Sequence, residues 1–197
     1  MKRNLIVMDI DDTILRSKDI FIERKLPSDD EIVYLTTAQY AEESITPETA
    51  CYYSFAQFND EQKIYDSIIH GEAILENLTV MDLYINNGFE LVVLTARSNK
   101  NAVYGALCKF LAWRNFETNE LEPVKFAGDC CYTVSDPAFS IFGDSTAERK
   151  ANILKRLSDS NKMIVYLDDD HNNIMKVRTM DLWNVVALKV RGFFSKK

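Results

Sequence analysis

The chain has 197 residues, 47% hydrophobic and 27% charged, with six Gly and four Pro. That is enough to fill one core, and too ordinary a composition for a disordered or collagenous chain. Its formal charge of −7 repels polyanions and speaks against extended duplex binding. The four cysteines, Cys51, Cys108, Cys130 and Cys131, form no C-x-x-C and have only two histidines beside them. They read as buried or incidental thiols rather than a disulfide framework or zinc site.

The first element predicted is a strand over Leu5-Ile6-Val7-Met8, apolar on both faces as a central parallel strand requires. Asp9-Ile10-Asp11-Asp12-Thr13 ends it abruptly. The run is too short for a signal sequence, and no later stretch reaches the roughly 18 apolar residues of a membrane span, so no membrane association and a cytoplasmic setting are expected. Residues 17–70 hold Pro27, Pro47, the acidic Asp29-Asp30-Glu31 and the aromatic stretch Tyr52–Phe58, without a sustained period. They are expected to be an insertion or cap-like segment within a single domain spanning 1–197. The aromatics are expected to pack a lid rather than to stack on a base.

From Gly71 onward order returns. Ile74, Leu78, Met81 and Ile85 fall at helical spacing and Gly88 follows as a C-terminal stop. Phe89–Leu94 is a second buried strand, ending at Thr95-Ala96-Arg97-Ser98-Asn99, and Val103, Leu107, Phe110 and Leu111 mark the helix after it. A third strand is expected somewhere in residues 120–143, where the pattern loosens. Ser145-x-x-Glu148 is a capping box for a helix through about Leu157. Met163–Leu167 is the next apolar strand, and it ends in Asp168-Asp169-Asp170. A helix near 172–180 and a strand near Val185–Leu188 complete the alternation. Such alternation predicts an α/β fold, a doubly wound, three-layer α/β/α arrangement around a parallel sheet, with ligands beyond the carboxyl ends of the strands.

Strands ending in Asp9/Asp11, Thr95 and Asp168/Asp169 would bring these residues to one rim. Each close pair of carboxylates costs about 1–4 kcal/mol at near-surface dielectrics, so the cluster demands a compensating charge. A hard, oxygen-loving ion such as Mg²⁺ suits it. Around one phosphate, Asp9 can attack phosphorus while Asp11 protonates the leaving oxygen. Thr13 and Thr95 offer hydroxyl donors, and backbone N–H groups at the following helix starts can hold phosphoryl oxygens. A lysine would complete the neutralisation.

These residues also carry a family resemblance. Asp9-Ile10-Asp11-Asp12-Thr13 resembles the D-x-D-x-T nucleophile motif of haloacid dehalogenase (HAD)-like phosphatases. Leu91-Val92-Val93-Leu94-Thr95, Lys150 and Val165-Tyr166-Leu167-Asp168-Asp169 are similar to the second, third and fourth motifs in the same order. The resemblance covers residues 4–16 and 71–190. It implies a Rossmann-like HAD core acting as a phosphoric monoester hydrolase: Asp9 forms an aspartyl-phosphate, Asp11 serves as general acid then base, Thr95 binds the phosphoryl group and Lys150 steadies both. Lys125 and Arg149 are alternative cations for that last role. It further implies Mg²⁺ held by the Asp9 carboxylate, the Asp11 main-chain carbonyl and the fourth motif, with Asp169 as direct ligand and Asp168 as its support. Asp12 departs from the pattern, since many members have glycine there, and a side chain at that position could alter the turn.

Thr95-Ala96-Arg97 also resembles the stretch after the second motif in 3′-phosphatase modules of bacteriophage polynucleotide kinases. That likeness implies a substrate-binding role for Ala96 and Arg97, with a nucleotide or nucleic-acid terminal phosphate as substrate beside the plain alternative of a small phosphorylated metabolite; for a phage protein the setting is the host cytoplasm. The other reading of Arg97 is a surface residue at a helix start. His171 reads as a polar loop residue rather than a ligand. A rival for the whole chain is a catalytically unused module with this fold that serves a structural or partner-binding role.

Overall fold

A computed structural model describes residues 2–46 and 48–190; Met1, Pro47 and residues 191–197, which the single-domain expectation also covers, lie outside the described residues. In chain order the elements are β1 (Asn4–Met8), β2 (Leu15–Arg16), β3 (Ile22–Arg24), β4 (Val33–Leu35), α1 (Thr37–Ala41), β5 (Tyr53–Ser54), α2 (Glu61–Ile69), β6 (Glu72–Ala73) and α3 (Leu75–Asn86). They continue with β7 (Phe89–Thr95), α4 (Lys100–Phe110), β8 (Ala112–Arg114), β9 (Leu121–Pro123), β10 (Phe126–Thr133), α5 (Thr146–Ser160), β11 (Met163–Asp168), α6 (His171–Arg178) and β12 (Val185–Lys189). Short 3₁₀ turns occupy Ala50–Tyr52, Ala56–Asn59 and Pro137–Phe142.

The main sheet has five strands in the order β10-β7-β1-β11-β12, every neighbouring pair parallel. The first strand of the chain is central and the order reverses beside it, between β1 and β11, which is the doubly wound plan, in which ligands bind in the crevice at the reversal. Leu5 through Met8 are buried on both faces, as are Leu91–Leu94 and Ile164–Leu167. That explains why these strands read as unbroken apolar runs. Helix α3 packs on β1 and β7, α4 on β10, and α6 on β11 and β12 with α5 against it. Right-handed crossovers then set α3 and α4 on one face and α5 and α6 on the other.

The helix signals in the sequence have local causes in the structure. Ser145 caps α5 in a complete capping box with Glu148. Gly88 follows α3 with φ +79°, a left-handed turn that ends the helix. The third strand of the sheet is β10, whose run Phe126–Thr133 breaks register between Phe126 and Cys131. Gly128 and Asp129 are exposed within it. The apolar piece Phe139–Phe142 belongs to a 3₁₀ turn.

Residues 17–70 leave and re-enter the core through one short ladder, Leu15 opposite Ala73 and Arg16 opposite Glu72. At the return a Cβ on Gly71 would lie 2.9 Å from Leu15 Cδ1 and 3.0 Å from the Ser67 carbonyl, which leaves room only for glycine. The segment has two parts. β4-β3-β5 form a small antiparallel sheet with α1. Helix α2 instead joins the core, burying Ile64 and Ile68 and packing on α4. The aromatics pack mutually, as expected: Tyr40 meets Tyr53 at 5.3 Å and Phe55 at 5.1 Å between ring centroids, both edge-on.

Between β1 and β2 the Ile10 carbonyl accepts from the N–H groups of Thr13, Ile14 and Leu15, which folds the loop back on itself. Asp12 takes φ +55° there. Aspartate tolerates that region better than most side chains, which explains how the departure from glycine is accommodated. Its carboxylate also accepts a hydrogen bond from Thr37 Oγ1 at 3.1 Å, tying the loop to α1. Asp12→Gly is expected to keep thermal stability within about 1 kcal/mol of wild type, whereas Asp12→Val loses about 1–2 kcal/mol more. Chemical denaturation of the two variants measures the difference, and equal stabilities would show that the left-handed turn is not what constrains position 12.

Candidate active site

Strand β1 lies between β7 and β11, so Asp9, Thr95 and Asp168 emerge from three adjacent strand ends. The Asp9 N–H donates to the Leu167 carbonyl at 3.1 Å, continuing the β1–β11 ladder one residue past the strand and fixing where this carboxylate stands. Carboxylate oxygens of Asp9, Asp168 and Asp169 lie within 4.8 Å of one another, a grouping that could hold a metal ion. The acidic strand ends therefore converge as the sequence implied.

Lys150 provides the cation. It rises from α5 on the same stripe as Ile153, Leu154 and Leu157, and is 1% exposed. Its ammonium donates to Asp168 Oδ2 at 2.8 Å and stands 3.1 Å from Asp9 Oδ1. The second contact is a close ion pair, so among the described residues Asp9 Oδ1 shares its one neighbouring cation with Asp168. Arg149, the neighbouring alternative, instead holds the Gly143 and Val134 carbonyls.

The two carboxylates of the fourth motif differ in surroundings. Asp168 is completely buried and accepts from Lys150, the Tyr166 hydroxyl, the Asn173 amide and the Asp170 N–H. It is a hub that fixes its neighbours. Asp169 is only half-buried, and its side chain meets Thr13 Oγ1 at 3.4 Å. Tyr166 and Asn173 were not singled out from the sequence. Asn173 sits at the start of α6 on the same inward stripe as Val177, so a polar residue on an apolar stripe was the signal available.

Two readings change. Thr13, expected to offer its hydroxyl to substrate, is fully buried and turned to Asp169, meeting both its side chain and its N–H. Arg97 is neither a surface residue nor positioned to bind phosphate, because it is completely buried and its fork is spent inside the protein. Nε and Nη2 donate to the two oxygens of Asp11 at 2.9 and 2.8 Å, Nη2 also to Ser17, and Nη1 to Ser67 Oγ and the Ile64 carbonyl. All five donors of a guanidinium are thereby accounted for. Thr95 is buried at its strand end, its Oγ1 accepting from the Arg97 N–H, and Ala96 is exposed beside it. His171 is exposed at the start of α6. The four cysteines are unpaired, two buried and two exposed.

No protein-family model and no curated protein matches the chain. Among solved structures it is similar to a HAD family enzyme from Bacteroides thetaiotaomicron in a magnesium complex, at 10% identity and TM-score 0.43, over 99% of this chain and 96% of that one. An aspartate-to-alanine mutant of that enzyme, in complex with magnesium and inorganic phosphate, gives 12% identity and TM-score 0.42 over 99% and 98%. Likeness at that level decides neither reaction nor ligand, which rest on this chain's own side chains. Among the described residues no helix is long and apolar enough to cross a membrane.

Charge in the site is unevenly compensated. Burial pushes the Asp9 carboxyl well up, Lys150 pulls it down, and Asp168, Asp11 and Asp169 push it up again. Asp169 is pushed up to about 7, by burial first and then by Asp168 and Asp12. Asp11 goes the other way: burial raises it, but the charge and hydrogen bonds of Arg97, with the Ser17 bond, outweigh burial and hold it below the usual range. Lys150 is likewise held above its ordinary value, since Asp168 and Asp9 together outweigh burial. A carboxyl raised by folding contributes stability that is present below its unfolded value, near 3.8, and lost as pH rises through its folded value. The metal-free protein should therefore lose melting temperature between about pH 4 and pH 8 on account of Asp169, and Asp169→Asn should flatten that slope. Thermal melts in chelator across this range test it; identical slopes in both proteins would remove the charge crowding inferred at Asp169.

Proposed function

We propose that the chain is a Mg²⁺-dependent phosphomonoester hydrolase of the HAD type, working through an aspartyl-phosphate on Asp9. The observation that carries this reading is the crowding at Asp9: a carboxylate fixed at the end of the central strand, with two further carboxylates within 4.8 Å and one ammonium, Lys150, that it shares with Asp168. Three close carboxylates sharing one ammonium are unfavourable unless a second cation joins them. Asp9 and Asp169 are the side chains that would hold Mg²⁺, with Asp168 orienting them from behind. The ion supplies positive charge that lets an anionic nucleophile approach an anionic phosphate.

In this reading Asp9 attacks phosphorus and the phosphorus–oxygen bond to the leaving group breaks, its electron pair going to that oxygen. Asp11 gives the leaving oxygen a proton and later takes one from the water that attacks the aspartyl-phosphate. Lys150 holds Asp9 in place and offsets charge on the transferred group. Thr95 and Ala96, at the end of the strand beside β1, are assigned the phosphoryl oxygens. Because Arg97 holds Asp11 in its ionised form, proton acceptance from water is the better-supported half of its work.

A small phosphorylated molecule is the substrate class proposed. A nucleotide or nucleic-acid end was suggested by Arg97 and the aromatics, and both are occupied within the protein. The rival of an unused module has less support, since every side chain the reaction needs is present and the carboxylates of Asp9, Asp168 and Asp169 are gathered at one rim. In Mg²⁺, p-nitrophenyl phosphate should be hydrolysed by wild type, and Asp9→Asn should reduce turnover by about 10³-fold or more. Equal nitrophenol release by the two proteins would end the enzyme reading.

A further inference from the structure

One built feature lies behind the reacting groups, the buried network around Arg97. The residue follows β7 by two positions, yet its side chain reaches back to the loop after β1 and across to α2. Its fork grips Asp11 at both oxygens, 2.9 and 2.8 Å away, while Ser17 Oγ donates to one of those same oxygens. On the far side Nη1 is fixed by Ser67 Oγ at 2.8 Å and by the Ile64 carbonyl at 3.2 Å, both on α2. Ser67 is itself fully buried and donates to the Ile64 carbonyl at 2.8 Å.

A fork that meets both oxygens fixes the plane of a carboxylate as well as its position, which a point charge does not. An acid–base group has to sit within a few tenths of an ångström of its proton path to be effective. We propose that Arg97 is a positioning residue that orients the Asp11 carboxylate toward the phosphoryl site, and that α2 sets that orientation through Ser67 and the Ile64 carbonyl. The proposal rests on the phosphatase reading above. It makes α2, which lies in the segment between β2 and β6, part of the catalytic framework without touching substrate.

A purely structural Arg97 would lower stability and scale activity alike whatever stands at position 11. A positioning residue acts through Asp11 and loses its effect when Asp11 is already disabled. The test is a double-mutant cycle of Arg97→Lys with Asp11→Asn, reading kcat and KM for p-nitrophenyl phosphate in Mg²⁺. Arg97→Lys keeps the charge and removes the fork. It should lower kcat by about 10- to 100-fold with KM within about twofold, and by less than about threefold when Asp11 is already Asn. Ser67→Ala, which leaves Arg97 and Asp11 intact, should show the same pattern at about 3- to 10-fold and decides the matter if Arg97→Lys does not fold. Equal losses in both backgrounds, or a KM increase that persists with Asp11→Asn, would overturn the proposal and leave the phosphatase reading standing. A wild type that releases no nitrophenol in Mg²⁺ removes both.

Discussion

The arrangement depends on one buried charge. Lys150 places an ammonium in a nearly sealed position between Asp9 and Asp168, and no such ion survives burial without close partners, since isolation there costs several kcal/mol. The pairing locks α5 to the ends of β1 and β11, two strands that meet where the sheet order reverses. Removing the lysine would leave two buried carboxylates facing each other with no cation between them. Removing either carboxylate would leave the buried lysine with one close partner where it now has two. The same interaction serves folding and chemistry.

Around it the carboxylates divide their work through their surroundings. Asp168, saturated by Lys150, Tyr166, Asn173 and the Asp170 N–H, is a structural hub. Asp169 and Asp9 remain incompletely satisfied and crowd each other, which leaves the site short of positive charge. Asp11 has its own cation in Arg97, which holds its carboxyl below the usual range although its charge still adds to the crowding at Asp9. Two buried basic residues, each committed to a different carboxylate of the first loop, thus separate the nucleophile position from the acid–base position only two residues along the chain.

Much of this was legible in the sequence for a physical reason. Parallel strands covered on both faces must be apolar throughout, so Leu5–Met8, Leu91–Leu94 and Ile164–Leu167 stand out, and the acids that interrupt them mark a common rim. Lys150 was read from its resemblance to the third motif, beside Lys125 and Arg149, and its place three, four and seven residues before Ile153, Leu154 and Leu157 explains why it is the one turned inward. β10 was not legible, because its register break and the exposed Gly128-Asp129 erase the pattern that defines a buried strand. Nor was the burial of Arg97, whose acceptors on Asp11, Ser17, Ile64 and Ser67 lie from 30 to 86 residues away. A long-range polar network leaves no periodic trace. Thr13 was misassigned for a related reason: a hydroxyl beside the nucleophile motif can face substrate or the opposite strand end, and only the β1–β11 pairing brings Asp169 to it.

The central claim is that the acidic ends of β1 and β11 are left short of positive charge and take up a divalent cation between them. Titration of the metal-free protein with Mn²⁺, followed by electron paramagnetic resonance, addresses it directly. A single ion should bind, with affinity falling by about tenfold or more on Asp169→Asn. No binding by the folded wild type, or binding indifferent to Asp169, would contradict it.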